Sequence, residues 1–488
     1  MPKSAIVIGA GFGGLSAAAL LAKKGLRVTV IDNNPMPGGR AIHFTQKGFL
    51  FDRGPSWYLM PEVFEKFFAE FGKKPSDYFR LARLSPSYRV FYEEGKTIDV
   101  PSDPEKIRIL FSELEPEGDK KLDKYLSQAK YKYDVAMRKF LYKDYNSLLD
   151  MADLRLAPEA LRLHLFSSID SYAKRFFKSS QARKILEYTM VFLGGSPSNT
   201  PALYSIMSHV DLTLGVWYPM GGVRMLAEAM ARVCEEQGVE FHFNEEVKSI
   251  IVKDGKAAGV TTPRSSYSAD IIIANADMHH VETELLPPSS QTYNESYWNS
   301  RTMAPSALLF YVGVNKKLPQ LSHHNLFLAE DWDAHFDSIF KTRTWPENPS
   351  FYLGCPSRTD PLVAPKGKEN LFFLVPVAAG LNDTDEMREK YFQKTISYFE
   401  RRIGEPIQDC IITKRIVSHR DFRKDFNAYK GTALGLAHTL FQTAAFRPAH
   451  RSKKVRNLYY TGHYNHPGVG VPMVIISSHI VSEEAVKE

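Results

Sequence analysis

The sequence predicts an α/β fold, and three observations carry that prediction. Short, wholly apolar runs alternate with helix-periodic stretches, a glycine-rich turn separates the first run from the first helix, and a second run ends in an acidic residue. Ala5-Ile6-Val7-Ile8 has the unbroken apolar character of a strand covered on both faces. Gly9-Ala10-Gly11-Phe12-Gly13-Gly14 follows as a tight turn, and Leu15 to Lys24 reads as an Ala/Leu-rich helix closed by Gly25. Val28 to Ile31 is the second buried strand, ending at Asp32. Gly9, Gly11 and Gly14 fit G-x-G-x-x-G, and Asp32 lies 18 residues past the last of them. A dinucleotide-binding βαβ unit places its acidic residue about 20 residues on. Gly9 permits the turn, Gly11 lets the backbone approach a pyrophosphate, and Gly14 allows close helix–strand packing. The helix amino terminus supplies N–H donors to phosphates, and Asp32 can accept from a ribose hydroxyl. This fingerprint alone does not separate NAD from FAD.

Length and composition bound the rest. The 488 residues amount to about three domains at roughly 150 residues each. With 44% apolar and 24% charged residues the chain has an ordinary globular composition, which excludes disordered and low-complexity classes. A net charge of +7 is mild for a nucleic-acid binder, and no nucleic-acid partner is expected. Cys234, Cys355 and Cys410 are widely spaced and form no CxxC, so neither a disulfide framework nor a cysteine zinc site is supported and a reducing, cytoplasmic location is expected. Ala5 to Ile8 is too short for a signal peptide, and no stretch reaches about 18 uninterrupted apolar residues. The histidine pairs His279-His280 and His323-His324, and the HxxH at His463 and His466, lack carboxylate or cysteine company, so no metal site is expected.

A second glycine pair with an arginine, Gly38-Gly39-Arg40, follows Asp32 closely and offers another backbone approach and a charge to set against phosphates. Together, Gly9 to Gly14, Asp32 and Gly38-Gly39-Arg40 resemble the amino-terminal signature of the FAD-dependent amine oxidase and phytoene desaturase superfamily, in which Glu usually stands where this chain has Asp32. Phe49 to Trp57 alternates and then turns, resembling the segment of carotenoid desaturases that passes under the flavin, with Ser56 and Trp57 near it. Pro61 to Phe71 is a Phe-rich helix pattern. From Lys121 to Met190 the chain reads as mainly helical and carries 14 Lys/Arg against 8 Asp/Glu, nearly the whole net charge. Within it, Tyr172 to Lys178 and Arg183 to Leu193 mix cations with aromatic and aliphatic residues, a composition that suits a helix lying in the lipid headgroup layer or an amphipathic helix on its own core.

Val223 to Gln237 reads as a helix, followed by strands at Val239–Phe243, Val247–Val252 and Asp270–Asp277. This block resembles the family segment returning to the FAD domain, where the backbone at Val247 meets the adenine and Asn275 nears the cofactor. Between about Pro287 and Arg423, strands such as Ala307–Val312 and Leu371–Val377 and a helix at Met387–Ile403 carry no chemical motif. The carboxyl-terminal stretch, with Asn427 to Leu436, Phe446-Arg447-Pro448, Asn457 to His463 and His466 to Met473, resembles the closing signature of bacterial phytoene desaturases. The resemblance places Gly462 beside the flavin phosphates and ribityl chain, and Gly470, Val471 and Met473 at the opening of the last helix against the isoalloxazine.

The resemblance covers essentially the full chain and implies an α/β architecture in three parts. These are a discontinuous Rossmann-like FAD-binding domain (1–75, 215–286 and 430–488), a mixed sheet-plus-helix substrate domain (76–120 and 287–429), and a helical, basic, membrane-associating region (121–214). It implies a carotenoid desaturase with FAD as hydride acceptor, a lipophilic acyclic carotenoid as substrate, and oxygen or a quinone as terminal electron acceptor. The enzyme is expected on the inner face of the membrane, reaching its substrate peripherally. A 1-hydroxycarotenoid 3,4-desaturase is favoured over a phytoene desaturase, because tyrosines and histidines are plentiful and a hydroxyl partner at a tunnel end selects an oxygenated substrate. The alternatives are a redox-neutral carotenoid isomerase, a non-catalytic isoprenoid-binding protein of related fold, and an amine oxidase. No catalytic base is assigned, since the proton acceptor can be any carboxylate, histidine or water that the fold places.

Overall fold

A computed structural model describes residues 2–92, 95–145 and 167–487. Its first sheet has five strands, all parallel, in the order Leu458–Tyr460, Ile271–Ala274, Ser4–Ile8, Arg27–Ile31 and Glu240–His242. Val/Ile-rich runs form its centre because both faces are covered, one by helices and the other by the three-stranded antiparallel sheet Ser249–Lys253, Lys256–Thr261 and Ser266–Ser268. The helix Phe12–Lys23 packs on this sheet and against the helices Arg224–Glu236 and Val471–Ala485, with Ala17, Ala18 and Ala19 keeping the approach close. That helix starts earlier than the glycine spacing predicts, at Phe12, so Gly13 and Gly14 lie in its first turn. They fit there for a steric reason: a Cβ on Gly13 would stand 2.6 Å from Asn275 Oδ1, and one on Gly14 would stand 2.0 Å from the Gly9 carbonyl oxygen.

The second sheet has seven strands, in the order Ile411–Val417, Ser306–Val314, Glu369–Val377, Phe351–Gly354, His324–Leu328, Tyr88–Tyr92 and Thr97–Val100. All its pairings are antiparallel except that of His324–Leu328 with Tyr88–Tyr92. Ser306–Val314 is buried along its whole length. Leu308, Phe310 and Val312 face the helix Asp385–Ile403 through Phe392, Ile396 and Phe399, whereas Ala307, Leu309 and Tyr311 belong to the core on the opposite face.

Helices Pro104–Leu114, Gly118–Val135, Ile169–Ala173 and Ser180–Glu187 form a third layer. Residues 146–166 of the basic region lie outside the described residues. Here the expectation of lipid-facing aromatic anchors needs correction. Tyr172, Phe177, Ile185, Leu186, Tyr188 and Met190 are all buried, and the first two pack against Tyr125 and Phe111. Lys174, Arg175 and Lys178 point outward. The periodicity that suggested a headgroup helix comes from side chains packed on the protein's own core. Among the described residues no helix is long and apolar enough to cross a membrane.

Candidate functional site

A cavity of about 890 Å³ runs from the carboxyl ends of the first sheet's strands to the inner face of the second sheet. Its first end is built from backbone. Gly9 (φ +98°) turns the chain out of the first strand, its N–H donating to the Ile31 carbonyl at 2.8 Å. The loop Gly38-Gly39 lies directly on this turn: the Gly38 N–H donates to the Ala10 carbonyl at 2.9 Å, and a Cβ on Gly39 (φ +55°) would come within 3.0 Å of Gly11 Cα. The two glycine motifs are therefore one cradle. Asn275 sits at its hub, donating from Nδ2 to the Gly9 carbonyl at 3.3 Å and standing next to the Cβ positions of Gly11 and Gly13.

Asp32 borders the cavity and also holds the cradle in shape. One carboxylate oxygen accepts from the Ala10 N–H at 2.6 Å, and the other accepts from the Asn34 N–H at 2.7 Å and Asn34 Nδ2 at 3.0 Å. Burial raises its pKa, and these hydrogen bonds oppose the rise. Arg40 is half-buried near Asp277 and donates to the Ala433 carbonyl. Asp277 in turn accepts from the Tyr464 hydroxyl at 2.7 Å and from the N–H groups of His279 (3.1 Å) and Tyr429 (3.2 Å). In the sequence Asp277 is marked only as the end of a strand, and its place two residues past Asn275 is the available signal.

The opposite wall of the cradle is the carboxyl-terminal segment. Gly462 (φ +135°) leaves the strand Leu458–Tyr460, and Gly470 (φ +116°) precedes the helix Val471–Ala485, whose amino end borders the cavity at Val471 and Met473. A Cβ on Gly462 or Gly470 would meet no protein atom closer than 3.6 Å and 3.8 Å respectively, so the space those glycines leave belongs to the cavity. Arg447 fixes this wall from behind. Its buried guanidinium donates to the carbonyls of His463 (2.7 Å), Gln442 (2.9 Å), Tyr464 (3.1 Å) and Leu436 (3.3 Å).

The donor set suits a dinucleotide: converging backbone N–H groups, a helix amino terminus, a carboxylate within reach of a ribose, and glycines that leave room for a flat ring. Gly9, Gly11, Phe12, Gly13, Asp32, Gly39, Arg40, Ser56, Trp57, Asn275, Gly462, Gly470, Val471 and Met473 all border the cavity. Gly14 does not border it, nor does Val247, for which the resemblance implies a backbone contact only. Gly14 serves helix packing, and Val247 turns its side chain into the core with Ile6, Ile8 and Ile31.

Beyond the cradle the walls become apolar, with Leu309, Phe372 and Leu374 from the second sheet facing Trp57, Phe192 and Met207. The carboxylates bordering the cavity, among the described residues, are Asp32, Asp277 and Asp425, and Asp425 is paired with Arg53. His463 also borders it, and burial holds its pKa well below the ordinary histidine range. Such a space receives a long, neutral, hydrocarbon-like molecule next to the dinucleotide cradle. No local pattern in the sequence marks Tyr352 or Asp425, and Arg53 is marked only as part of the Phe49–Trp57 segment.

Comparison with known proteins agrees with this geometry. A family model described as flavin containing amine oxidoreductase matches residues 12–486. The chain is 44% identical over 483 residues to a carotenoid 3,4-desaturase of Haloarcula japonica, covering 99% of this chain and 98% of the relative. It is 32% identical over 507 residues to a phytoene desaturase of Neurospora crassa, covering 100% of this chain and 85% of that one. A solved oxidoreductase from Methanosarcina mazei superposes with a TM-score of 0.63 at 17% identity, covering 99% of this chain and 100% of that one, a likeness of fold.

Proposed function

The chain belongs to the flavin containing amine oxidoreductase family, and from that premise we propose that it is an FAD-dependent carotenoid desaturase acting on the 3,4 bond of an acyclic, 1-hydroxylated carotenoid. The observation that carries the reading is the continuity of the glycine cradle with an apolar cavity in which each bordering carboxylate, among the described residues, is already committed to a protein partner. FAD held there supplies a hydride acceptor, which no amino-acid side chain can provide. The protein's own residues do the rest. The stacked glycine turns and Asp32 position the cofactor. Arg40 and Arg447 bring positive charge near it, and the second sheet's aromatic and aliphatic side chains exclude water and hold the polyene. Aromatic faces such as Trp57 and Phe372 can also stabilise positive charge developing on an allylic carbon.

The same reading places the enzyme at the cytoplasmic face of a membrane, with oxygen or a quinone as the terminal electron acceptor. Phe446 lines the cavity and stacks edge-on with Phe441, and these two rings are 36% and 70% exposed. An apolar pair at a hydrocarbon-lined opening supports contact with lipid there, in place of the buried aromatics of the basic stretch. The test is anaerobic. FAD-loaded protein in liposomes should lose its oxidised-flavin absorbance on addition of a 1-hydroxylated acyclic carotenoid and yield a product two hydrogens lighter. A product of unchanged mass would mean an isomerase, and failure to take up flavin would mean an isoprenoid-binding protein.

A further inference from the structure

The cavity's second-sheet wall is mostly hydrocarbon, and two hydroxyl residues interrupt it, Tyr352 and Ser306. Tyr352, on the strand Phe351–Gly354, is 5% exposed and borders the main cavity on one side and a separate void of about 30 Å³ on the other. Ser56 and Phe372 border both spaces. The smaller one is lined mostly by apolar side chains but also by Asp52, Tyr218, His323 and Asn370, and it is large enough for a water molecule. Ser306, the other hydroxyl residue of that sheet bordering the main cavity, is committed to the Gly431 carbonyl at 2.6 Å.

Behind Tyr352 stands His324, which is fully buried. Its Nδ1 lies 2.7 Å from the Tyr352 hydroxyl oxygen, and its ring stacks on Trp57 at 4.1 Å. The other ring nitrogen, Nε2, has no hydrogen-bond partner. A proton on Nε2 would strand a buried donor, whereas a proton on Nδ1 leaves only a bare acceptor there, so the second tautomer is the one the surroundings favour. His324 Nδ1–H then donates to the Tyr352 oxygen, and the phenol's own proton is free for an acceptor in the cavity or for Ser56 beside it. Burial holds the histidine well below its ordinary pKa and pushes the phenol well above its own. The pair is therefore uncharged at neutral pH, which suits a neutral hydroxyl and supplies no counter-charge to an ammonium or a carboxylate.

Position adds to chemistry. The segment Gly54–Trp57 leaves the cofactor cradle at Arg40, since a Cβ on Gly54 would stand 2.2 Å from the Arg40 carbonyl oxygen, and it runs to the face of Tyr352. A hydroxyl on the first carbon of an acyclic carotenoid lies only a few bonds from its 3,4 bond. A group that reads the hydroxyl must accordingly stand near the loop that leaves the cradle, and Tyr352 packs on Trp57 of that loop with ring centroids 5.8 Å apart. We infer that Tyr352, backed by His324 and flanked by Ser56, is the specificity-determining group of this cavity and reads the terminal hydroxyl of the substrate. The inference rests on the proposed function.

The experiment compares wild type with Tyr352→Phe and His324→Gln, as full-length, FAD-loaded protein in phosphatidylcholine–phosphatidylglycerol liposomes. Each is given a 1-hydroxylated acyclic carotenoid and its 1-deoxy counterpart, and flavin content reports correct folding. Turnover is followed by polyene absorption, and binding by quenching of tryptophan fluorescence. Tyr352→Phe should lower kcat/KM and affinity for the hydroxylated compound about tenfold more than for the deoxy compound, the scale of one buried hydrogen bond. His324→Gln should shift the preference in the same direction, by less. An equal fall on both compounds, an unchanged preference, or a wild type that favours the deoxy compound overturns the inference. A binding preference that collapses in Tyr352→Phe without turnover of either compound upholds the hydroxyl site and refutes the desaturase reading instead.

Discussion

Asp211 offers a test in which the structure fixes the sign and the scale of the effect together. It is 2% exposed, and one of its oxygens accepts from the hydroxyls of Tyr88 (2.8 Å) and Tyr188 (3.0 Å), while the other has no partner. Those two rings pack around Trp57, with centroids 5.6 and 6.0 Å away, so the carboxyl supports a wall of the cavity. Burial pushes its pKa from the ordinary 3.8 up to about 7, and the two phenol hydrogen bonds only partly oppose this. The folded state thus holds the proton more tightly than the unfolded chain does. Between these values the folded protein binds more protons, and stability falls as pH rises through the interval, levelling off above about 7. Ionising the buried group costs on the order of 4 kcal/mol in all, more than half of it between about pH 5 and about pH 8.

Asp211→Asn keeps an oxygen for both phenols and carries no charge at any pH. Relative to wild type it should gain about 2 to 3 kcal/mol across that interval, whatever its absolute stability. Denaturant midpoints of both proteins, measured at about pH 5 and about pH 8 with FAD saturating throughout, give the difference directly, because a ligand of the folded state otherwise adds its own stability. Parallel pH profiles, or a variant that loses ground at the higher pH, would refute the reasoning.

Gly39→Val should abolish flavin uptake, since it combines a positive φ with a Cβ 3.0 Å from Gly11 Cα in the neighbouring turn; a folded variant that stays yellow at full stoichiometry would contradict this. Arg447→Met should lower stability by about 3 kcal/mol or more, because it leaves four buried carbonyls without a donor, and an unchanged denaturant midpoint would count against that. Phe441→Asp should weaken co-sedimentation with liposomes about tenfold or more while binding in the wild type persists at high salt, as expected of apolar insertion; equal retention of variant and wild type would remove this ring from the lipid contact.

What the sequence revealed, and what it hid, follows from how each end of the cavity is made. The cradle is made of backbone, and backbone conformation leaves a local trace. Gly9 and Gly39 stand at positive φ, and Gly14 has no room for a Cβ, so glycine is required at fixed intervals and the intervals can be read in one dimension. Even so, the sequence showed two motifs where the structure has one, because nothing in the spacing of Gly11 and Gly38 says that they touch. The basic stretch misled for a related reason. An amphipathic helix has the same period whether its apolar face meets lipid or its own core, and the burial of Tyr172 and Phe177 is decided by partners as distant as Phe111 and Tyr125.

The substrate end leaves no such trace, because it is made of side chains delivered by a sheet covered on both sides. In a half-exposed strand the polar positions mark which residues face outward. In Ser306–Val314 and Glu369–Val377 a helix covers one face and the cavity the other, so Phe310 and Leu309 look equivalent in sequence while one is core and the other is wall. Tyr352 is harder still to find. Its significance depends on His324 from the adjacent strand, on Trp57 and Ser56 from the loop after the cradle, and on a small void that Ser56 and Tyr352 both border. A cofactor bound by peptide groups constrains residues near one another in the chain, whereas a hydroxyl read by one phenol needs only that phenol to be well placed. Substrate preference can therefore shift between relatives through a few scattered positions while the glycine signature remains, and the Tyr352→Phe comparison measures how much of the preference one such position holds.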